Sequence, residues 1–237
     1  KEYNSAREST LTAFYTPNLV IEAIYGGLEN LGFDNGNILE PSCGTGNFIG
    51  NIPDKFKGSK FYGVELDSLS GNIAKKLYPE ADISIKGFEE YGISNNSFDI
   101  AIGNVPFGDF KVADREYDKN NFLIHDYFFA KTIDKVKTGG VIAFITSSGT
   151  MDKKDESIRR YIGERCELLG AIRLPNNTFK GVAGTEVTSD IIFLKKREGR
   201  FLGEEEGYKI GTDSKGLNYN KYFIDNPEML LGNMLEV

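Results

Sequence analysis

The chain has little of the chemistry that holds metals or builds disulfide frameworks. Two cysteines, Cys43 and Cys166, and a single histidine, His125, stand among 237 residues. They are too few for a disulfide scaffold or a standard zinc site, so no metal partner and no metal catalysis are expected. No apolar run reaches bilayer length and no charged-then-apolar signal segment opens the chain, so a soluble, cytoplasmic protein without a membrane partner is expected. Internal repeats and low-complexity tracts are missing as well. Positive charge is scarce: 28 Lys and Arg face 35 Asp and Glu, for a net charge of -7. Such a balance does not suit a protein that grips nucleic acid with its whole surface, so any basic footprint must be local or supplied from elsewhere. The length allows one sizeable α/β domain with a tail, and a first residue of Lys1 suggests a piece of a longer chain.

What is present is organised around Asn37 to Phe48, NILEPSCGTGNF. A short apolar run ends in the acid Glu40, breaks at Gly44 and Gly46, and resumes as a helix start near Asn47, whose free amides face whatever occupies the turn. Taken alone, an ordinary strand-to-helix corner has the same appearance. The spacing is neither G-x-G-x-x-G nor a P-loop, and Glu40 would repel a pyrophosphate while welcoming a cation. Downstream, FYGVELD (61–67) is a second strand ending in Glu65, about twenty residues past the glycines, where an acid can accept from both hydroxyls of a ribose. FDIAIGNVPFGDF (98–110) is a further apolar strand that runs into Asn104-Val105-Pro106-Phe107.

Around these motifs, strands alternate with helices: 38–39, 61–64, 83–85 and 100–102 read as strands of a parallel sheet with crossover helices. Thr16-Pro17 reads as an N-cap followed by proline at the first helical position, opening a helix through residue 32. Residues 69–79 form a helix closed by proline, 124–140 an amphipathic helix with a glycine stop, and 153–165 a charged helix. The polar stretch 108–121 reads as a mobile loop. Strands at 167–175 and 187–197 fit a hairpin that adds an antiparallel edge. Residues 199–237, without sustained periodicity, read as an extension or linker. His125-Asp126 is not read as an acid-base dyad, because neighbours on a helix face different ways.

Acid, glycine turn, ribose acid and Asn-x-Pro-Phe, in this order, resemble the S-adenosylmethionine-dependent DNA amino-methyltransferases, the adenine-N6 branch in particular. The resemblance covers roughly residues 7 to 197. It implies a Rossmann-like class I methyltransferase α/β fold, with a mostly parallel seven-stranded sheet, an antiparallel edge strand and helices on both faces. Residues 1–198 would be the catalytic domain and 199–237 an extension towards a missing recognition domain or subunit that reads DNA. It also implies S-adenosylmethionine as cofactor. Tyr15, Thr16, Glu40, Pro41, Gly44, Gly46, Asn47, Glu65 and Phe88 become its candidate ligands, Glu40 near the methionine ammonium and Phe88 on the adenine. Family members often carry an acid just before that aromatic; here the position is Gly87, so Glu89 or a main-chain group must substitute.

In the resemblance, Asn104 and the Val105 carbonyl accept the two hydrogens of an adenine amine, Pro106 stiffens the turn, and Phe107 stacks on the flipped base opposite Phe179. The family pattern has proline where this chain has Val105, but a carbonyl survives that exchange. Bacterial, phage or mobile-element origin and a restriction-modification context are implied. Two other readings stand beside it: a protein glutamine-N5 methyltransferase, which uses a related turn on the same fold, and a non-catalytic module that docks DNA or a partner.

Overall fold

The computed structural model describes residues 16–180, 187–232 and 234. The four expected apolar runs form β1 (Asn37–Glu40), β2 (Lys60–Glu65), β3 (Asp82–Ile85) and β4 (Phe98–Asn104), joined by β5 (Val136–Ser147), β6 (Cys166–Leu174) and β7 (Ser189–Lys196). They make one sheet in the order β3-β2-β1-β4-β5-β7-β6. Neighbours from β3 to β5 pair parallel, while β7 pairs antiparallel with both β5 and β6. The antiparallel strand is therefore one place in from the edge expected for it, and the edge strand β6 runs with the rest. Burial explains the order: Ser189 to Leu194 are buried without interruption and need a strand on each side, whereas β6 carries exposed and half-buried residues suited to an edge.

The pleat sends alternate side chains to two cores. Ile38, Ile100, Val141 and Ala143 pack with Ile21, Ile24 and Leu28 of helix α1 (Asn18–Asn30) and Ala74 of α2 (Ser68–Leu77). Leu39, Phe98, Ile142 and Phe144 pack with Phe129 and Ile133 of α3 (Ile124–Lys135) and Ile158 and Ile162 of α4 (Ser157–Arg165). Each fully buried aliphatic chain here contributes about 1.5–3 kcal/mol. Helices thus cover both faces, as a largely parallel sheet requires.

Several boundaries differ from the sequence reading. Pro17, not Thr16, holds the N-cap position of α1, its carbonyl accepting from Val20 and Ile21, and no side chain caps this end. Helix α3 stops at Lys135 instead of Gly140. Its last carbonyls, on Asp134 and Lys135, accept the amides of Asn96 and Ser97 at 3.0 and 2.8 Å, and the chain turns directly into β5. Helix α4 begins only at Ser157, whose amide donates to Asp155 Oδ1 at 2.7 Å. The segment 108–121 is pinned: Asp114 Oδ2 accepts from the Tyr127 hydroxyl at 2.8 Å and from Lys131 Nζ at 2.9 Å, and the Tyr117 hydroxyl donates to Asp134.

Beyond β7 the chain folds back onto the body. Tyr208, Tyr219 and Phe223 are buried in the α3-side core, and the Arg159 Nε donates to the Tyr208 carbonyl at 2.9 Å. Arg173 stands 4.4 Å over the Phe223 ring while pairing bidentately with Asp190 and singly with Asp152.

Candidate active site

The chain lays β2 and β3 to one side of β1 and returns with β4 on the other, so the carboxyl ends of β1 and β4 border the crevice where such sheets take ligands. Glu40 ends β1, Asn104 ends β4 and Glu65 ends β2. Glu40 Cγ lies 3.5 Å from where a side chain on Gly103 would begin, which puts the acid against the approach to Asn104.

Glu40 is 2% exposed, and among the described residues its Oε2 has no hydrogen-bond partner. Burial first, and then the nearby charge of Glu65, push its carboxyl well above the usual range. Glu65 is better served. Its Oε2 accepts the Gly44 amide at 2.7 Å and its Oε1 the Asp67 amide at 2.8 Å, although burial still raises its pKa. Asp67 in turn caps α2 through the Ser70 amide and hydroxyl.

The two glycines of the turn differ. Both have positive φ, +55° at Gly44 and +89° at Gly46. A side chain on Gly44 would meet no atom within 4 Å, whereas one on Gly46 would strike the Tyr78 ring at 2.6 Å. The Gly46 amide donates to the Cys43 carbonyl at 2.8 Å, and Asn47 opens a single-turn helix (Asn47–Gly50). Pro41 is buried between this turn and β4. A buried Glu40 oxygen without a partner among the described residues, together with open space at Gly44, fits a ligand that carries a cationic group.

On the other wall, Asn104 Nδ2 donates to Thr16 Oγ1 at 3.3 Å, and the Asn104 carbonyl accepts from Ser42 Oγ at 2.9 Å. The Val105 amide donates to the Ile145 carbonyl at 3.1 Å, and the Val105 side chain is buried. Pro106 and Phe107 are half-buried, and Phe107 packs against both cores. Phe179 is 1% exposed within the α1-side core. Phe88 is 3% exposed, 5.0 Å from the Phe128 ring, with Lys131 Nζ 5.4 Å from its centroid. The space a side chain on Gly87 would take is filled by the Glu89 carboxylate, whose Oε1 lies 2.1 Å from that position. Tyr15 lies outside the described residues.

His125 and Asp126 do approach each other, Nε2 to Oδ1 at 3.6 Å, contrary to the expectation from their spacing. That distance exceeds a hydrogen bond, and Asp126 pairs instead with Lys153. Ser42 is a neighbour of Asn104 that sequence does not single out, because the two are 62 residues apart in the chain.

A model of the N-6 DNA methylase family matches residues 1–207. The chain belongs to that family. Its relatives include Defense against restriction protein B of Escherichia phage P1, 33% identical over 79% of this chain and 8% of that protein. Modification methylase CviBIII of Paramecium bursaria Chlorella virus NC1A is 29% identical over 62% of this chain and 41% of its own length. Among solved structures, the EcoKI type I restriction enzyme M protein superposes with a TM-score of 0.60 at 17% identity, over 78% of this chain and 44% of that one. This methylase chain therefore spans less than half the length of these relatives. Its sheet and helices are those of class I S-adenosylmethionine-dependent methyltransferases. Among the described residues no helix is long and apolar enough to cross a membrane.

Proposed function

We propose that this chain is the catalytic domain of an adenine-N6 DNA methyltransferase that uses S-adenosylmethionine on an adenine extruded from DNA. The observation that carries the reading is the meeting of Glu40, Glu65 and Asn104 at the ends of three adjacent strands around the switch point. Family membership favours a DNA amine over a protein glutamine.

When bound, the cofactor supplies a methyl group activated by its sulfonium. Glu40, costly to ionise in the empty fold, receives the methionine ammonium, and Glu65, already oriented by two amides, offers its remaining lone pairs to the ribose hydroxyls. The bare main chain at Gly44 lets the ligand approach. Pro41, Gly46 and Asn47 shape the same turn, Thr16 leads into α1, Tyr15 is a further candidate contact, and Phe88 backs the cofactor adenine. Glu89, folded over Gly87, takes the place of the missing acid.

On the substrate side, the Asn104 side-chain oxygen and the Val105 carbonyl accept the two amine hydrogens, which draws the nitrogen towards tetrahedral geometry and aims its lone pair at the donor. Pro106 restricts Val105 and Phe107 stacks on the base, with Phe179 as the opposing aromatic. The displaced proton leaves to solvent. Residues 1–198 are assigned to catalysis, and DNA sequence is read by a domain or subunit outside this chain, reached through residues 199–237.

The test is incubation of the full-length protein with labelled S-adenosylmethionine and mixed DNA, followed by nucleoside analysis. Label in N6-methyladenine is expected. Label in protein glutamine, or none in DNA with the cofactor bound, would contradict the reading.

A further inference from the structure

Asn104 is held at both its side chain and its peptide. Its Nδ2 donates to Thr16 Oγ1 at 3.3 Å, and its carbonyl accepts from Ser42 Oγ at 2.9 Å. The far side of the same planar peptide, the Val105 N–H, donates to the Ile145 carbonyl at 3.1 Å. The peptide is thus gripped along both edges, while Thr16, 7% exposed, engages the amide. The two ends of a carboxamide are alike in shape and opposite in hydrogen bonding. In the structure Nδ2 faces Thr16 Oγ1 at the start of α1, which leaves the acceptor Oδ1 on the other side of the amide.

We propose that Thr16 and Ser42 are positioning residues for Asn104, setting the acceptor end of its amide towards the target amine instead of ligating the methyl donor. The inference rests on the adenine-N6 reading. It gives Thr16 a role different from the cofactor contact expected for it, and Ser42 a role that the glycine turn alone does not suggest. Both hydroxyls come from segments next to the cofactor turn, so the same wall that receives the donor holds the acceptor group.

The test uses Thr16→Val, Thr16→Ser and Ser42→Ala in the full-length protein. With cofactor and DNA saturating, Thr16→Val and Ser42→Ala lower kcat about 10-fold to 100-fold, the scale of a misplaced catalytic group. Cofactor Kd measured by calorimetry stays unchanged, and Thr16→Ser, which keeps the acceptor, restores most of the rate. A weakened cofactor Kd with kcat intact would make Thr16 a donor ligand and overturn the proposal, as would an unchanged kcat. Cofactor-bound crystal structures of wild type and Thr16→Val give a readout independent of turnover. An Asn104 side chain that shifts or loses order only in the variant supports the proposal, and one that keeps its place and order overturns it. If the wild type methylates no DNA, the adenine reading fails by itself and these structures still decide the role of Thr16.

Discussion

Lys131 Nζ donates to Asp114 Oδ2 at 2.9 Å inside the protein, joining the segment after the Asn104–Phe107 turn to helix α3. The same ammonium donates to the Glu89 carbonyl at 3.0 Å and stands over the rings of Phe88 and Tyr127. The side chains are only 6% and 12% exposed, so removing one partner strands a buried charge. Lys131→Met or Asp114→Ala should each cost about 3–5 kcal/mol in urea denaturation. The double variant should lose less than the sum, and strict additivity would show that the two charges do not depend on each other.

How much of this was legible in sequence follows from which forces are local. The strand ends carrying Glu40, Glu65 and Asn104 stand out because apolar runs break into proline just past Glu40 and Asn104 and into Asp67-Ser68 just past Glu65. Asp114, Tyr117 and Lys131 do not stand out, since a buried ion pair and a solvated charged loop are written with the same residues. The order of β7 and β6 depends on which hairpin strand is buried on both edges, and turn signals do not carry that information. The stop of α3 at Lys135 is set by amides from residues 96 and 97, about forty positions away, which no local pattern reports.

Glu40 gives a pH signature with a definite sign. Burial, reinforced by Glu65, raises its folded pKa above the usual 4.5, so the native state holds a proton that the unfolded chain releases. Its contribution is fully present below 4.5 and is lost as pH rises towards the folded value. Glu40→Gln, which mimics the protonated acid, should match wild type near pH 4. Above that it should gain stability over wild type by about 1.4 kcal/mol per pH unit until the folded pKa is passed. A pH-independent difference in denaturation midpoints would count against a buried Glu40 with a raised pKa.

Removing Glu65 should weaken cofactor binding and loosen the turn together. Glu65→Ala loses the acceptors of the Gly44 and Asp67 amides and the proposed ribose contact, at about 1–3 kcal/mol of binding free energy. Calorimetry with S-adenosylmethionine checks this. An unchanged affinity would mean that Glu65 only braces the turn.

Phe107→Ala should impair capture of the extruded base, because stacking on an aromatic is worth about 1–3 kcal/mol per base. The defect should shrink when the target adenine is mispaired, since less unstacking energy must then be supplied. Equal defects on paired and mispaired duplexes would remove Phe107 from base capture.

The central claim is that the turn ending β4 carries the chemistry, and Asn104→Ala in the full-length protein tests it most directly. Turnover of labelled S-adenosylmethionine into N6-methyladenine should fall below detection while cofactor affinity, measured on the same preparation, stays within error of wild type. Wild-type turnover in the Asn104→Ala protein would contradict the amine-methylation mechanism assigned to this site.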